Sequence, residues 1–163
     1  DPDPKIRSKV VNIMMRYDFD ELKQVFQRAV VDTNKSMQMT ALRYYNKHTY
    51  PDVFPVLAEK KKKKEFIDEN RDIQQLVIGA MVKSDMDKSF ELISGVLKKK
   101  SLFRGKKYQK FQKDVIRTLS GLTSIEVAEL LLKLIDEGGM PPDLMEQCRM
   151  AVGTIRTRIV SNG

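Results

Sequence analysis

Apolar residues recur along the chain in short sets with the spacing of one helix face. The clearest are Ile6, Val10, Val11 and Met14; Met37, Ala41, Leu42 and Tyr45; Ile73, Val77, Ile78 and Met81; and Phe111, Val115, Ile116 and Leu119. A weaker fifth set is Gln147, Ala151, Val152 and Ile155. Their first positions lie 31, 36, 38 and 36 residues apart. In that range, self-similarity marks a stack of helical hairpins. Alternation with period two is nowhere sustained, so strands are not expected.

The spacing predicts an all-α chain of about four hairpins and a terminal helix, in units near 3–31, 34–58, 70–98 and 106–136, with the last helix over 142–160. In the first unit Asp3 can cap a helix whose first position is Pro4, where a missing amide hydrogen costs nothing. That helix should run to about Arg16, with Ile6, Val10, Ile13 and Met14 along one face. Its partner would bury Leu22, Val25, Phe26, Ala29 and Val30. Unit two pairs Met37 to Lys47 with Val53, Val56 and Leu57, and Pro55 is expected to shorten or bend that second helix. Unit three pairs Ile73 to Val82 with Phe90 to Leu97 across a turn at Ser84 to Asp87. Unit four pairs Tyr108 to Leu119 with Ile125 to Ile135, and the glycines and prolines between Glu137 and Pro142 end it. Each unit alone exposes apolar residues on both sides, so stability has to come from neighbours.

The run Asp3-Pro4-Lys5-Ile6-Arg7 followed by Val10-Val11 resembles the HEAT-like repeats, including their short bacterial phycobilisome-lyase-type form. So does the stretch from Val115 through Leu119-Ser120-Gly121-Leu122-Thr123-Ser124 to Ile125-Glu126-Val127, an apolar helix, a short turn and a helix opened by an acid. Armadillo and tetratricopeptide stacks are neighbouring architectures, but the Trp, Gly and Tyr positions of the latter are missing. The resemblance implies a right-handed α-α superhelix, a HEAT-like solenoid, with the second helices lining its concave side. Polar residues between the apolar ones of those helices are then the candidate contacts: Gln24, Gln27, Arg28, Glu91, Glu129 and Lys133. The chain departs from a regular member at Ala58 to Asn70, at Lys98 to Lys107 and in the Gln147 set.

Charge breaks the repetition. The net charge is +8, and the segment from Lys98 to Arg117 holds nine basic residues, Lys98, Lys99, Lys100, Arg104, Lys106, Lys107, Lys110, Lys113 and Arg117, against the single acid Asp114. The remainder sums to zero. On a helix, Lys106, Lys110, Lys113 and Arg117 fall opposite Tyr108, Phe111, Val115 and Leu119. One reading is a solvated face. The sharper one is an anion-binding patch for an acidic protein, a nucleic-acid backbone or a lipid surface. The run Lys60 to Lys64 is bracketed by Glu59, Glu65, Asp68, Glu69 and Asp72, and one or two of its lysines should bury their stems near the core.

At 163 residues and 41% hydrophobic, the chain can bury a core as one helical-repeat domain. It begins without Met and falls directly into a repeat, which suggests a piece of a larger protein with a preceding repeat. One cysteine, Cys148, excludes an internal disulfide and favours a reducing, cytoplasmic setting. No apolar run approaches the ~20 residues of a membrane span. His48 is the only histidine, almost three units from Cys148, so neither a Cys-His pair nor a metal site is expected. His48 is placed at a helix end and Cys148 in the core. Gly79, Gly95, Gly105 and Gly121 are isolated, which excludes a phosphate-cradling loop. The methionines Met14, Met15, Met37, Met39, Met81 and Met150 fall mostly at core spacing, and Tyr44 is the surface aromatic. No catalytic residue or cofactor is expected. The leading function is a scaffold or adaptor for another protein, with an acidic partner suited to the basic patch. The alternative is a nucleic-acid-binding HEAT-like protein using that patch, disfavoured by the absence of Trp and by charge confined to one unit.

Overall fold

The computed structural model describes residues 2–17, 22–99 and 105–162. Among these the protein is all-helical, with nine α-helices, two short 3-10 turns and no strand. The helices gather into two compact units, residues 1–85 and 86–163.

The first unit holds α1 (Pro4–Met14), α2 (Lys23–Val30), α3 (Lys35–Lys47), α4 (Phe54–Lys62) and α5 (Arg71–Ser84), with 3-10 turns at Pro51–Val53 and Lys64–Asp68. α3 is central, since α1, α2 and α5 all pack on it, and α4 packs on α5. Its core contains Val11, Phe26, Val30, Leu42, Tyr45, Leu57, Ile73 and Val77. The helix starts follow from capping chemistry. Asp3 accepts from the Lys5 amide at 2.8 Å ahead of Pro4, Asn34 from the Met37 amide at 3.1 Å, and Asn70 from the Asp72 amide at 2.8 Å. Pro55 behaves otherwise than its position in the apolar pattern predicts. α4 opens at Phe54, so Pro55 sits in the first turn, where its missing N–H and fixed φ are harmless. The helix is therefore not cut short, and it continues into the lysine run. Lys60 on that run is buried, its amine donating to Gln38 Oε1 at 3.2 Å with Glu69 at 3.9 Å. Burial holds its pKa below the usual lysine range, against the pull of Glu69.

α3 and α5 approach closely where glycine permits it. A Cβ on Gly79 would lie 2.5 Å from Asn46 Oδ1, and the Asn46 amide donates to the carbonyls of Leu42 and Leu76, each at 2.8 Å. That side chain ties the two helices together.

The second unit holds α6 (Met86–Leu97), α7 (Gly105–Ser120), α8 (Ile125–Glu137) and α9 (Pro142–Asn162). α9 packs on both α7 and α8, and α6 packs on α7. Its core is built from Ile93, Leu97, Phe111, Val115, Leu119, Val127, Leu131, Leu134, Leu144, Cys148 and Ile155. Only Asp85 separates α5 from α6, a tighter turn than Ser84 to Asp87. The boundary between the units thus falls inside the third hairpin read from the sequence. α8 stops at Gly138, whose φ of 67° and ψ of −163° belong to a region open essentially to glycine alone.

One polar residue recurs inside the apolar sets. Gln38, Gln74 and Gln112 directly follow the leading residues Met37, Ile73 and Phe111, and all three are buried. Each donates its amide to backbone carbonyls that precede its own helix in the chain. Gln38 reaches the Asp32 carbonyl. Gln74 reaches Phe66 at 2.7 Å and Ile67 at 3.1 Å, and Gln112 reaches Val96 at 3.0 Å and Lys99 at 3.1 Å. The same residue type thus ties α3, α5 and α7 to the chain before them, at a different distance back in each case.

Candidate interaction surfaces

On α7 the face expected to be buried is buried: Tyr108, Phe111, Val115, Ile116 and Leu119 all lie in the core. Lys106, Lys107, Lys110 and Arg117 are exposed and Lys113 is half-buried. The basic residues do not form one uniform ridge, because ion pairs divide them. Lys113 lies 3.3 Å from Asp143 at the start of α9, and Arg117 donates at 3.1 Å to Asp114, whose carboxylate is itself largely buried. Lys98 donates at 2.7 Å to Glu137 and holds that carboxyl below its usual range. Among the described residues, no ion pair involves Lys99, Lys106 or Lys110. Lys100 and Arg104 lie outside the described residues.

The polar residues read as concave-face contacts fall into two local groups. In the first unit, Gln24 and Arg28 are exposed on α2, while Gln27 is half-buried and donates to the Asp52 carbonyl at 3.3 Å. Lys23 pairs with the Asp52 carboxylate beside it. In the second unit, Glu91 on α6 and both Glu129 and Lys133 on α8 are exposed. The Lys133 amine stands 4.6 Å above the Phe90 ring of α6, a cation-π contact that joins the two second helices. A shallow groove beside α8 is lined by Glu129, Leu132, Lys133, Asp136 and Glu137.

Tyr44 is not an isolated surface aromatic. It stacks on Phe26 with centroids 4.7 Å apart, lies 4.6 Å from the His48 ring and runs parallel to Tyr50 at 6.1 Å. This half-buried row joins α2 and α3 to the turn that follows. Its signal in the sequence is the i, i+4, i+6 spacing of Tyr44, His48 and Tyr50. His48 is the C-cap of α3. Cys148 is fully buried, and burial pushes its thiol up to about 11. Met37 and Met81 are core residues, whereas Met15 and Met150 are exposed. Among the described residues, no three of His, Cys, Asp and Glu converge as metal ligands would, and no helix is long and apolar enough to cross a membrane.

The largest departure from the sequence reading is on α1. Val11 is buried and Met14 half-buried, yet Ile6, Val10 and Ile13 are exposed. Arg7 occupies the inward side, its guanidinium making two 3.1 Å bonds to Asp32. Spacing placed these apolar residues on one face, but it could not show that α2 and α3 cover only part of it. Compared with known protein families, curated proteins and solved structures, the chain matches none.

Proposed function

We propose that the protein is a non-enzymatic scaffold, a HEAT-like right-handed stack of helical hairpins whose second helices offer polar faces to another protein. What supports this reading is a recurring buried residue. Gln38, Gln74 and Gln112 stand at the same place in their apolar sets, and each donates to a backbone carbonyl that precedes its own helix. Chains built from such repeats use equivalent helices as aligned contact surfaces. In the second unit, Lys133 over Phe90 sets Glu91, Glu129 and Lys133 on neighbouring helices with their charges in solvent. In the first unit, Gln24 and Arg28 on α2 supply the corresponding exposed groups. A single buried thiol suits a reducing compartment, and the proposal places the scaffold in the cytoplasm.

The test is affinity capture from native lysate with wild type and with Glu129→Lys/Lys133→Glu, checked for equal melting temperature. One or more specific proteins should be retained by wild type and lost by the variant. Identical captured profiles would overturn the reading. A second reading, nucleic-acid binding, is supported by the exposed Lys106, Lys107 and Lys110 on one side of α7, and duplex titration separates the two.

A further inference from the structure

We infer that Tyr44 and Tyr50 form an oxidative modification site, at which hydrogen peroxide with a haem peroxidase joins the two phenols into a dityrosine within one chain. The hydroxyl oxygens of these residues stand 3.4 Å apart. Their rings are nearly parallel, with planes 7° apart and centroids at 6.1 Å. Oxidative coupling of phenols joins the carbons ortho to the hydroxyls, so neighbouring hydroxyls bring the reacting edges together. Both rings are half-buried, held by their surroundings with part of each still open to solvent. Tyr44 stacks on Phe26 and lies 4.6 Å from the His48 ring. Tyr50 is extended, with φ −129° and ψ 106°, the conformation that a following proline favours.

The other three tyrosines are placed differently. Tyr45 meets both rings edge-on, at 78° and 83°, and is 1% exposed. Burial raises its pKa, which opposes the proton loss that accompanies phenol oxidation. Tyr108 lies in the core of the second unit, its hydroxyl donating to the Val96 carbonyl at 3.1 Å. Tyr17, 67% exposed, is open to coupling between chains, which depends on protein concentration as an internal link does not. At the Tyr44 and Tyr50 pair each phenol gives up one electron and one proton, and peroxide takes them as its O–O bond breaks, leaving two waters. The two phenoxyl radicals then form one carbon–carbon bond between ortho carbons, and the hydrogens on those carbons pass to the oxygens. The chain loses two hydrogens and keeps both hydroxyls. Such a link ties the end of α3 to the turn ahead of α4, and thiols do not reverse it. Neither tyrosine belongs to the α2, α6 and α8 faces described above, so either proposal can fail alone.

The experiment treats the whole folded chain, at low protein concentration, with hydrogen peroxide and a haem peroxidase. The product should run as a monomer on a reducing gel, show dityrosine fluorescence and have lost two hydrogens by intact mass. Trypsin cuts after Arg43, Lys47 and Lys60, so peptides 44–47 and 48–60 should be recovered joined. Fragmentation should place the link on Tyr44 rather than Tyr45. Tyr44→Phe and Tyr50→Phe should each abolish the joined peptides, and Tyr45→Phe should retain them. A synthetic peptide of residues 43–53, which lacks the fold, should link Tyr50 to Tyr44 and Tyr45 alike, whereas the folded chain should favour Tyr44 by about tenfold or more. The inference is overturned if the folded chain gives the same mixture as the peptide, or if the joined peptides survive Tyr44→Phe. It is also overturned if dityrosine forms only between chains, or if folded wild type gives none while free tyrosine couples in the same mixture.

Discussion

Gln112 is almost wholly enclosed, and its amide is shared among the carbonyls of Val96, Leu97 and Lys99. Removing it takes a donor from each of them, leaving Val96 with the Tyr108 hydroxyl at 3.1 Å, and opens space in the core. Gln112→Ala is therefore expected to destabilise the second unit by about 2–3 kcal/mol, measured by urea unfolding, whereas Met150→Ala on the exposed side of α9 should change stability little. Two ionisable groups give opposite pH limbs. The Arg7 guanidinium, and then the Asn34 amide, hold the Asp32 carboxyl below its ordinary value of 3.8. A depressed acid contributes stability above its unfolded pKa and loses it as pH falls through the lower folded one, so Asp32→Asn should flatten the acid limb of the melting curve. Burial raises the Cys148 thiol from 9.0 to about 11. Its contribution is intact below the unfolded pKa and is lost as pH rises from about 9 to about 11, a loss that Cys148→Ala should remove from the alkaline limb. The glutamines were readable in the sequence, since they repeat with the same period as the residues before them. What hid them is that a polar side chain inside an apolar set looks like a solvated one until its carbonyl partners are known.

At the level of elements, chain punctuation was the most legible signal. Asp3 with Pro4 opens α1, Ser124 accepts from the Val127 amide at 3.4 Å to open α8, and Gly138 and Gly139 close it with positive φ. Each rests on local backbone chemistry, which a sequence states directly. Gly138→Ala is accordingly expected to cost about 1–3 kcal/mol, because its conformation is closed to residues with a Cβ, and a lowered melting temperature with unchanged helical circular dichroism would show it. Pro55 was misread because its effect depends on where α4 starts, and the start was one residue before it. The α1 stripe was misread for a different reason. Periodicity reports that Ile6, Val10 and Ile13 share a face, but only packing decides whether that face is covered. The candidate contact residues Glu91, Glu129 and Lys133 were legible as polar positions on second helices. Their grouping through Phe90 was not, since it depends on the packing of α6 beside α8.

Over the molecule as a whole, the excess positive charge sits where it opposes stability. α7 opens with Lys106 and Lys107 and has no acid in its first turn, so cations stand at the positive end of the helix dipole, with Lys110 four residues after Lys106. Sequences break such local preferences chiefly at functional sites. Duplex binding through this patch has limited resources, because Lys98, Lys113 and Arg117 are engaged with Glu137, Asp143 and Asp114. Lys99, Lys106 and Lys110 are exposed and in no ion pair among the described residues, so on the nucleic-acid reading Lys106→Glu/Lys110→Glu should make the slope of log affinity against log salt shallower by about 2. Random duplex bound by wild type with that change in slope would favour the nucleic-acid reading over the scaffold. The same geometry predicts that Lys106→Glu stabilises the protein by about 0.3–1 kcal/mol, since it removes a like-charge pair and places a carboxylate at the helix start. Thermal melting at low salt measures that gain, and affinity capture with the same variant measures its consequence. A variant that is more stable yet loses a specific acidic protein marks the ridge as a second contact surface. One that is more stable and captures the wild-type profile shows that these lysines are solvated charge.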